Sequence, residues 1–385
     1  MAMGVEFRIS RNDQKPIEDF LGRRSDGVTA VSLDTKAGPT QFNVARAARE
    51  ANVAVYWEPG TERLASIGYN HDQHPLWGGQ PFDPAALATS SDESDRLVEA
   101  TIAAHPETVT HVTAPHFYAN DATAARLNVA LAERTHELHR AQPTRAILTI
   151  SARNAVHLIV DLDLAAEYAR AGVEAIEIRL SPFGGEDVSL PRIRNAYAVL
   201  EMFRSQGMRV TVGHCGTIGL VAVAMGHADA HSLGVGYLEK VDHSAAINRQ
   251  ARPPAADAER RGPTAGVYLP GIAATVPRKL ATALLENREI RSRLACRTGT
   301  CRNSILEPVE SARMHYVHSR AAEMASLLAR PKPWRATLET ERLAERLQLR
   351  ERVNKHCLPS GVSKIETRTL RSLLDIFEDR QQAAS

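Results

Sequence analysis

Cys296 and Cys301 stand five positions apart, and His315 and His318 follow close behind them. Two thiolates and two imidazoles are a donor set that zinc binds tetrahedrally. His315 and His318 are three apart in a stretch of helical period, so they share one helix face and can converge on one ion. The spacing fits no standard zinc finger, and the same four residues also read as two reduced thiols in a turn beside two surface histidines. A second group centres on Gly213-His214-Cys215-Gly216-Thr217, where an apolar run ends and a helical one begins. Backbone N–H groups at such a helix start can receive a phosphate or a carboxylate. A tight turn that needs glycine is the plainer interpretation. His214 and Cys215, as neighbours on a strand, point to opposite faces and do not make a nucleophile–base pair. Downstream lie Asp229, Glu239 and Asp242, the carboxylates that, with His214, could attack carbon or move a proton.

A repeating pattern places these residues. Short β-branched runs at residues 28–33, 53–57, 111–114, 146–150, 175–180, 208–212, 228–233 and 266–269 alternate with stretches of helical period. Strand–helix alternation implies parallel strands with right-handed crossovers. Eight repeats close a barrel. The expected fold is therefore α/β, a (β/α)8 TIM barrel. An open doubly wound sheet is the alternative, although no G-x-G-x-x-G follows a strand to support its dinucleotide-binding form. In a barrel the strand ends form the mouth. They predict Asp34, Glu58, His116, Ser151, Arg179, Ser181, His214 and Ser232 there, with Glu239 and Asp242 in the loop beyond. Two long loops, 58–92 and 234–263, leave strand ends on the same face. The second is basic, with Arg249, Arg252, Arg260 and Arg261.

Three segments follow from this pattern: a barrel over residues 1–290, a Cys/His segment with a helix over 291–330, and a basic helical extension over 331–385. Pro331 and Pro333 mark the break between the last two. Zinc at the Cys/His segment would be structural, since the segment lies outside the mouth. A net charge of +2 sets up no global field, so an argument for nucleic acid has to be local. The basic loop and the extension, with Lys332, Arg335, Arg342, Arg346, Arg350 and Arg352, are the local candidates for phosphate contacts. Four cysteines in 385 residues make no disulfide framework. No signal-peptide run opens the sequence, and no stretch approaches the roughly 20 apolar residues of a membrane helix. The expectation is a cytoplasmic protein.

Three pieces of the sequence carry a resemblance to a known family. Gly172-Val173-Glu174-Ala175-Ile176-Glu177-Ile178-Arg179 runs into Phe183-Gly184-Gly185-Glu186. Val210-Thr211-Val212-Gly213-His214-Cys215-Gly216 is followed by Gly226-His227-Ala228-Asp229-Ala230-His231-Ser232. Cys296-x-Thr298-x-x-Cys301-Arg302-Asn303 precedes Arg320-Ala321-Ala322-Glu323-Met324. Together, over roughly residues 144–324, they resemble the tRNA-guanine transglycosylase superfamily, whose members are (β/α)8 barrels with a zinc subdomain near the C-terminus. The first piece resembles the strand that ends in the family's glycine-rich base-recognition loop. The second resembles the two strands after it, the later of which ends in the nucleophilic aspartate. The third has the spacing of the family's C-x-C-x-x-C.

The resemblance implies a pentosyltransferase that binds or exchanges a purine or 7-deazapurine base in tRNA or DNA, with zinc bound and a homodimer as the assembly. Arg179, Ser181, Gly184, Gly185, His116 and Ser232 are the expected substrate-binding residues. Asp229, Glu239, Asp242 and His214 are the expected catalytic ones. Arg249, Arg252, Arg260 and Arg261 would touch phosphates, and Cys296, Cys301, His315 and His318 would hold zinc. The sequence departs from the family in specific places. Thr298 replaces the middle cysteine, and His315 or His318 has to stand in for the family's distant histidine. His231 or Ser232 stands where the nucleophilic aspartate belongs, and no carboxylate accompanies Thr113-Ala114-Pro115-His116 to hold the purine edge. Two other functions are therefore carried forward: a non-catalytic module that binds nucleobase or nucleic acid, and an unrelated barrel enzyme for a small anionic metabolite.

Overall fold

The computed structural model describes residues 3–10, 12–36, 39–66, 74–236, 239–245, 266–296, 301 and 304–384. Eight parallel strands form one sheet: β1 (Gly4–Arg8), β2 (Val28–Leu33), β3 (Ala54–Trp57), β4 (Val112–Thr113), β5 (Thr144–Ser151), β6 (Val173–Ser181), β7 (Arg209–Gly213) and β8 (Ala230–Gly234). Their order is β3-β2-β1-β8-β7-β6-β5-β4. The outermost strands meet through Thr110. Its N–H donates to Val55 O at 2.8 Å, and its hydroxyl accepts from Val55 N at 3.1 Å. The result is a nearly closed TIM barrel, as the strand–helix alternation predicts.

One strand was assigned differently by the sequence pattern. The run at 266–269 does contain a strand, Val267–Leu269, but it pairs antiparallel with Ala274–Val276 outside the barrel. The place in the barrel belongs to β1, which lies between β2 and β8. Its sequence, Gly-Val-Glu-Phe-Arg, alternates apolar and charged residues. Val5 and Phe7 join an apolar cluster under the surrounding helices, whereas the buried Glu6 turns inward to Arg209. β6 alternates in the same way. Ile176, Ile178 and Leu180 pack outward, and Glu177 and Arg179 point into the barrel. Charge alternating with apolar residues normally marks a strand with one face in water. Here the second face is an ion-paired interior.

The C-terminal helices Ala312–Leu328, Lys332–His356 and Arg368–Ala384 pack on the barrel. Leu327, Leu343, Leu370 and Phe377 share one apolar cluster with Ile176, Val210 and Leu220. This cover explains helix Thr217–Met225, which is apolar on every side and has eight buried residues in its nine. The extension is less available to phosphates than its composition implies. Arg346 bonds to Glu323 at 2.5 Å and Glu339 at 3.0 Å. Arg350 is fully buried, with Ile272 O, Ala273 O and Glu186 as acceptors. No described helix is long and apolar enough to cross a membrane.

Candidate functional site

The C-terminal ends of the strands surround a small cavity of about 140 Å³. Arg8, Glu62, Arg63, Thr149, Arg179 and His214 line it from the barrel, and residues 240–243 close it from the loop after β8. Beneath it lies a chain of buried charges. Arg179 donates to Glu177 twice, at 2.8 and 3.0 Å, and to Glu58 at 2.6 Å. Arg8 pairs with the other Glu58 oxygen at 2.7 Å, and Arg145 completes Glu177 from below. The Ser232 hydroxyl also donates to Glu177, at 2.6 Å. Burial would raise the Glu58 and Glu177 carboxyls, but the guanidinium groups outweigh it and hold both well below the usual range. Both are therefore ionised at neutral pH.

His214 sits over this lattice with its Nε2 3.9 Å from Glu177 and no hydrogen-bond partner. Its backbone is left-handed, with φ at +53°. That conformation is costly for a residue with a Cβ and tends to mark functional positions. Burial, then the nearby Arg179 and Arg8, lower its pKa to about 4. The ring is neutral at pH 7. The flanking glycines serve packing. A Cβ on Gly213 would stand 2.6 Å from Arg179 Cγ, and one on Gly216 would stand 2.8 Å from Glu239 Oε2.

The expected site residues that are described each have a position. Arg179, His214 and Asp242 line the cavity together. Ser181, Ser232 and His116 lie just behind its wall. Ser181 Oγ accepts from His243 N at 2.8 Å, and His116 Nε2 is 3.3 Å from Glu62. Gly184 pairs with Lys240 in a two-residue antiparallel ribbon, and Gly185 N donates to Glu239 O at 2.9 Å, so both are occupied in forming the wall.

Two expected catalytic carboxylates do not line the cavity. Asp229 precedes β8 and so lies at the opposite end of the barrel, where it accepts from Val210 N at 3.0 Å. Glu239 is no solvated loop residue. It is buried against Gly216 at the start of helix Thr217–Met225, with Arg320 and the Tyr316 hydroxyl (2.7 Å) bound to it. The anion position at that helix start is thus filled by the protein itself. His231 turns outward against Gly219 of the same helix, and Ser232 is the inward residue of the two. Arg249, Arg252, Arg260 and Arg261 lie outside the described residues, as does Thr298.

The sequence pattern did not single out Arg8, Glu62 or Glu177. Arg8 was hidden with its strand. Glu62 sits in a four-residue helix, Thr61–Leu64, that no periodicity announces. The alternation Glu177-Ile178-Arg179 in an otherwise apolar strand was the available signal for the third.

A second centre lies outside the mouth. Cys296, Cys301, His315 and His318 converge, with their four ligand atoms within 4.8 Å of one another. Cys301 Sγ is 3.3 Å from His315 Nδ1 and 3.1 Å from His318 Nε2, and Cys296 Sγ is 3.3 Å from the same His318 nitrogen. His315 Nε2 donates to Tyr268 O at 2.6 Å. That bond leaves the Nδ1 lone pair facing the sulfurs, the tautomer a ligand needs. All four residues are buried, and together they could hold one metal ion. A larger open groove of about 530 Å³ runs beside Cys296. Its Arg346 is committed to Glu323 and Glu339, and no unpartnered histidine enters it.

No family model matches the sequence, and no curated protein does. Among solved structures, thiamine phosphate pyrophosphorylase from Pyrococcus furiosus is 11% identical at a TM-score of 0.34, over 64% of this chain and 93% of its own. Native xylanase 10B from Thermotoga maritima is 10% identical at 0.39, over 60% and 82%. Likenesses this distant carry no functional argument, and the barrel rests on the strand pairing described above.

Proposed function

We propose that the barrel mouth binds a neutral, hydrogen-bonding ring of the purine or 7-deazapurine class, and that the chain handles such a base in nucleic acid. One observation carries this proposal: among the described residues, the mouth is balanced in charge. There Arg8, Arg63, Arg145, Arg179 and Lys240 are linked by ion pairs to Asp34, Glu58, Glu62, Glu177 and Asp242, five of each sign. An anionic metabolite would add an uncompensated buried charge, which costs several kcal/mol. A neutral ring with donors and acceptors adds none. Neutral His214 favours the same class of ligand. The Cys/His centre after the barrel supports the transglycosylase resemblance, and its two sulfur and two nitrogen donors suit zinc in a structural role.

Base exchange needs a carboxylate that bonds to the anomeric carbon as the bond to the departing base breaks and that base takes up a proton. The incoming base then displaces the carboxylate and loses a proton. Among the described residues, Asp242 is the lining carboxylate that no arginine holds. Its Oδ1 accepts from Ala245 N at 3.0 Å, and its Oδ2 is 3.6 Å from Lys240. We assign it the nucleophilic role. The non-catalytic reading keeps one argument of its own, because Ser232 at the family's nucleophile position is spent on Glu177.

Incorporation of labelled guanine or 7-deazaguanine into tRNA and DNA separates the two. Asp242→Asn should cut incorporation at least a hundredfold, whereas Asp229→Asn should leave it within about twofold. Purine binding without incorporation by the wild type would establish the binding module. Binding of anionic metabolites in place of any purine would overturn the proposal.

A further inference from the structure

We infer that the N-terminal opening of the barrel, opposite the mouth, is a second binding site, and that it takes a small 2-hydroxy acid with a single carboxylate. The inference stands apart from the base-binding proposal and goes beyond it. A pocket of about 250 Å³ lies there. Thr29, Glu174 and Arg209 line it from the starts of β2, β6 and β7, Tyr56 from β3, and His111 from the residue before β4. This end of a barrel ordinarily serves stability. Here it carries polar groups whose hydrogen-bonding capacity the fold leaves unused.

Arg209 Nη1 donates to Glu6 at 2.5 Å, to Thr211 at 3.2 Å and to the Tyr56 hydroxyl at 3.4 Å, and its Nη2 donates to Thr29 at 3.3 Å. The Tyr56 oxygen is thus an acceptor, and its own hydrogen has no acceptor among the described residues. Arg145 lies over the Tyr56 ring, 4.5 Å from its centroid. It shares Glu177 with Arg179, and its buried Nη1 has no partner. Two guanidinium groups therefore stand behind Tyr56 with one carboxylate, Glu6, to themselves. An oxyanion that accepts from Tyr56 and Arg209 enters a positive field.

His111 supplies the opposite polarity, and Thr110 fixes its tautomer. The Thr110 hydroxyl donates to Val55 O at 3.0 Å and accepts from Val55 N at 3.1 Å. His111 Nδ1, 3.0 Å from the same oxygen, must therefore be a donor to it. Burial, then Arg145 and Arg209, lower the His111 pKa to about 4, so the ring is neutral at pH 7 and its Nε2 is a bare acceptor. That nitrogen has no partner among the described residues. It calls for a neutral donor, because the same two guanidinium groups repel an ammonium. A hydroxyl beside the carboxylate meets that need. Glu174 limits the charge of the ligand. It is exposed at the rim, no cation pairs with it among the described residues, and it repels a second carboxylate. A 2-keto acid lacks the donor, an amino acid brings the ammonium, and a dicarboxylate meets Glu174.

The test is ligand-observed NMR titration of the full metal-loaded chain with lactate, propionate, alanine and malate. Lactate should bind about fivefold tighter than propionate, which lacks only the hydroxyl and so one hydrogen bond, and tighter than alanine or malate. Tyr56→Phe keeps the ring beneath Arg145 and should weaken lactate about tenfold, the loss of a hydrogen bond to a charged group. That loss also places the anion at this end of the barrel and not at the mouth. His111→Phe keeps an aromatic edge against Tyr56 and should make lactate and propionate bind alike. The wild-type comparison needs no variant, so misfolding of either variant cannot conceal the answer. No lactate binding at about 10 mM, a lactate-to-propionate ratio near one, or alanine or malate bound as tightly as lactate would overturn the inference. So would lactate binding that folded Tyr56→Phe leaves unchanged. None of these outcomes bears on purine binding at the mouth.

Discussion

The barrel mouth and the Cys/His centre are both polar clusters buried in apolar protein, and they are satisfied in opposite ways. In the mouth, Arg179, Glu58, Glu177 and Arg8 complete one another, so the lattice stands by itself. In the Cys/His centre, four potential ligand atoms lie within 4.8 Å of one another and could hold one metal ion. The difference separates two kinds of buried polarity. One is a scaffold of ion pairs that is complete in itself. The other is a donor set that an ion could complete.

The sharpest way to break this contrast is to remove the ion. Protein purified without added metal should carry one zinc per chain, and Cys301→Ser or strong chelation should remove it. Structural zinc contributes roughly 10 kcal/mol in small zinc domains, so the loss should be the largest effect considered. It should appear as a steep drop in thermal midpoint alongside elemental analysis. An unchanged midpoint after chelation would make the centre a set of free thiols and imidazoles.

The next test strikes the self-sufficient side. Arg179→Gln leaves Glu58 and Glu177 short of their shared cation, and breaking a buried pair in this way costs about 3–5 kcal/mol. Urea unfolding should register that loss. Arg179→Lys should recover little of it, because a single ammonium cannot reproduce the fork that grips both Glu177 oxygens. If Arg179→Gln unfolds like the wild type, the lattice is not the scaffold described here.

The smallest effect concerns protons. His214 has a folded pKa of about 4 against an unfolded value near 6.5. Below pH 6.5 the unfolded chain takes up a proton that the folded site refuses. The associated stability is complete above that pH and falls by about 1.4 kcal/mol per unit as pH drops toward 4. His231, lowered to about 3 by burial and Arg320, acts in the same sense. Glu58 and Glu177, with depressed carboxyl values, contribute losses only at lower pH. At fixed zinc, His214→Asn should therefore show a shallower slope between pH 6.5 and 5 than the wild type. Equal slopes would mean that His214 is solvated and charged in the mouth.

The residues that the sequence made legible are those whose local signals agree with their surroundings. Apolar runs such as Ile176–Ile178–Leu180 announce a strand, and His315 and His318 announce a shared helix face. Legibility failed where burial and charge coincide. Glu6 and Arg8 look like the wet side of an edge strand, so β1 passed unnoticed, and 266–269 took its place because a strand's partner is not written in its own residues. Glu239 and Asp242 lie three positions apart in one polar loop. Only the distant Arg320 and Tyr316 decide that the first is structural and the second faces the cavity.

Helix Ala312–Leu328 carries two commitments on different faces. His315 and His318 turn toward the cysteines, while Tyr316 and Arg320, four apart and so on one side, hold Glu239 behind the mouth. Slipping this helix by one residue would rotate it about 100° and lose both sets together. Its angular register is thus fixed from two directions at once. A sequence change that shifts that register, such as a one-residue deletion between Glu310 and His315, should uncouple the ligand set and the wall of the mouth in a single event, although it touches neither.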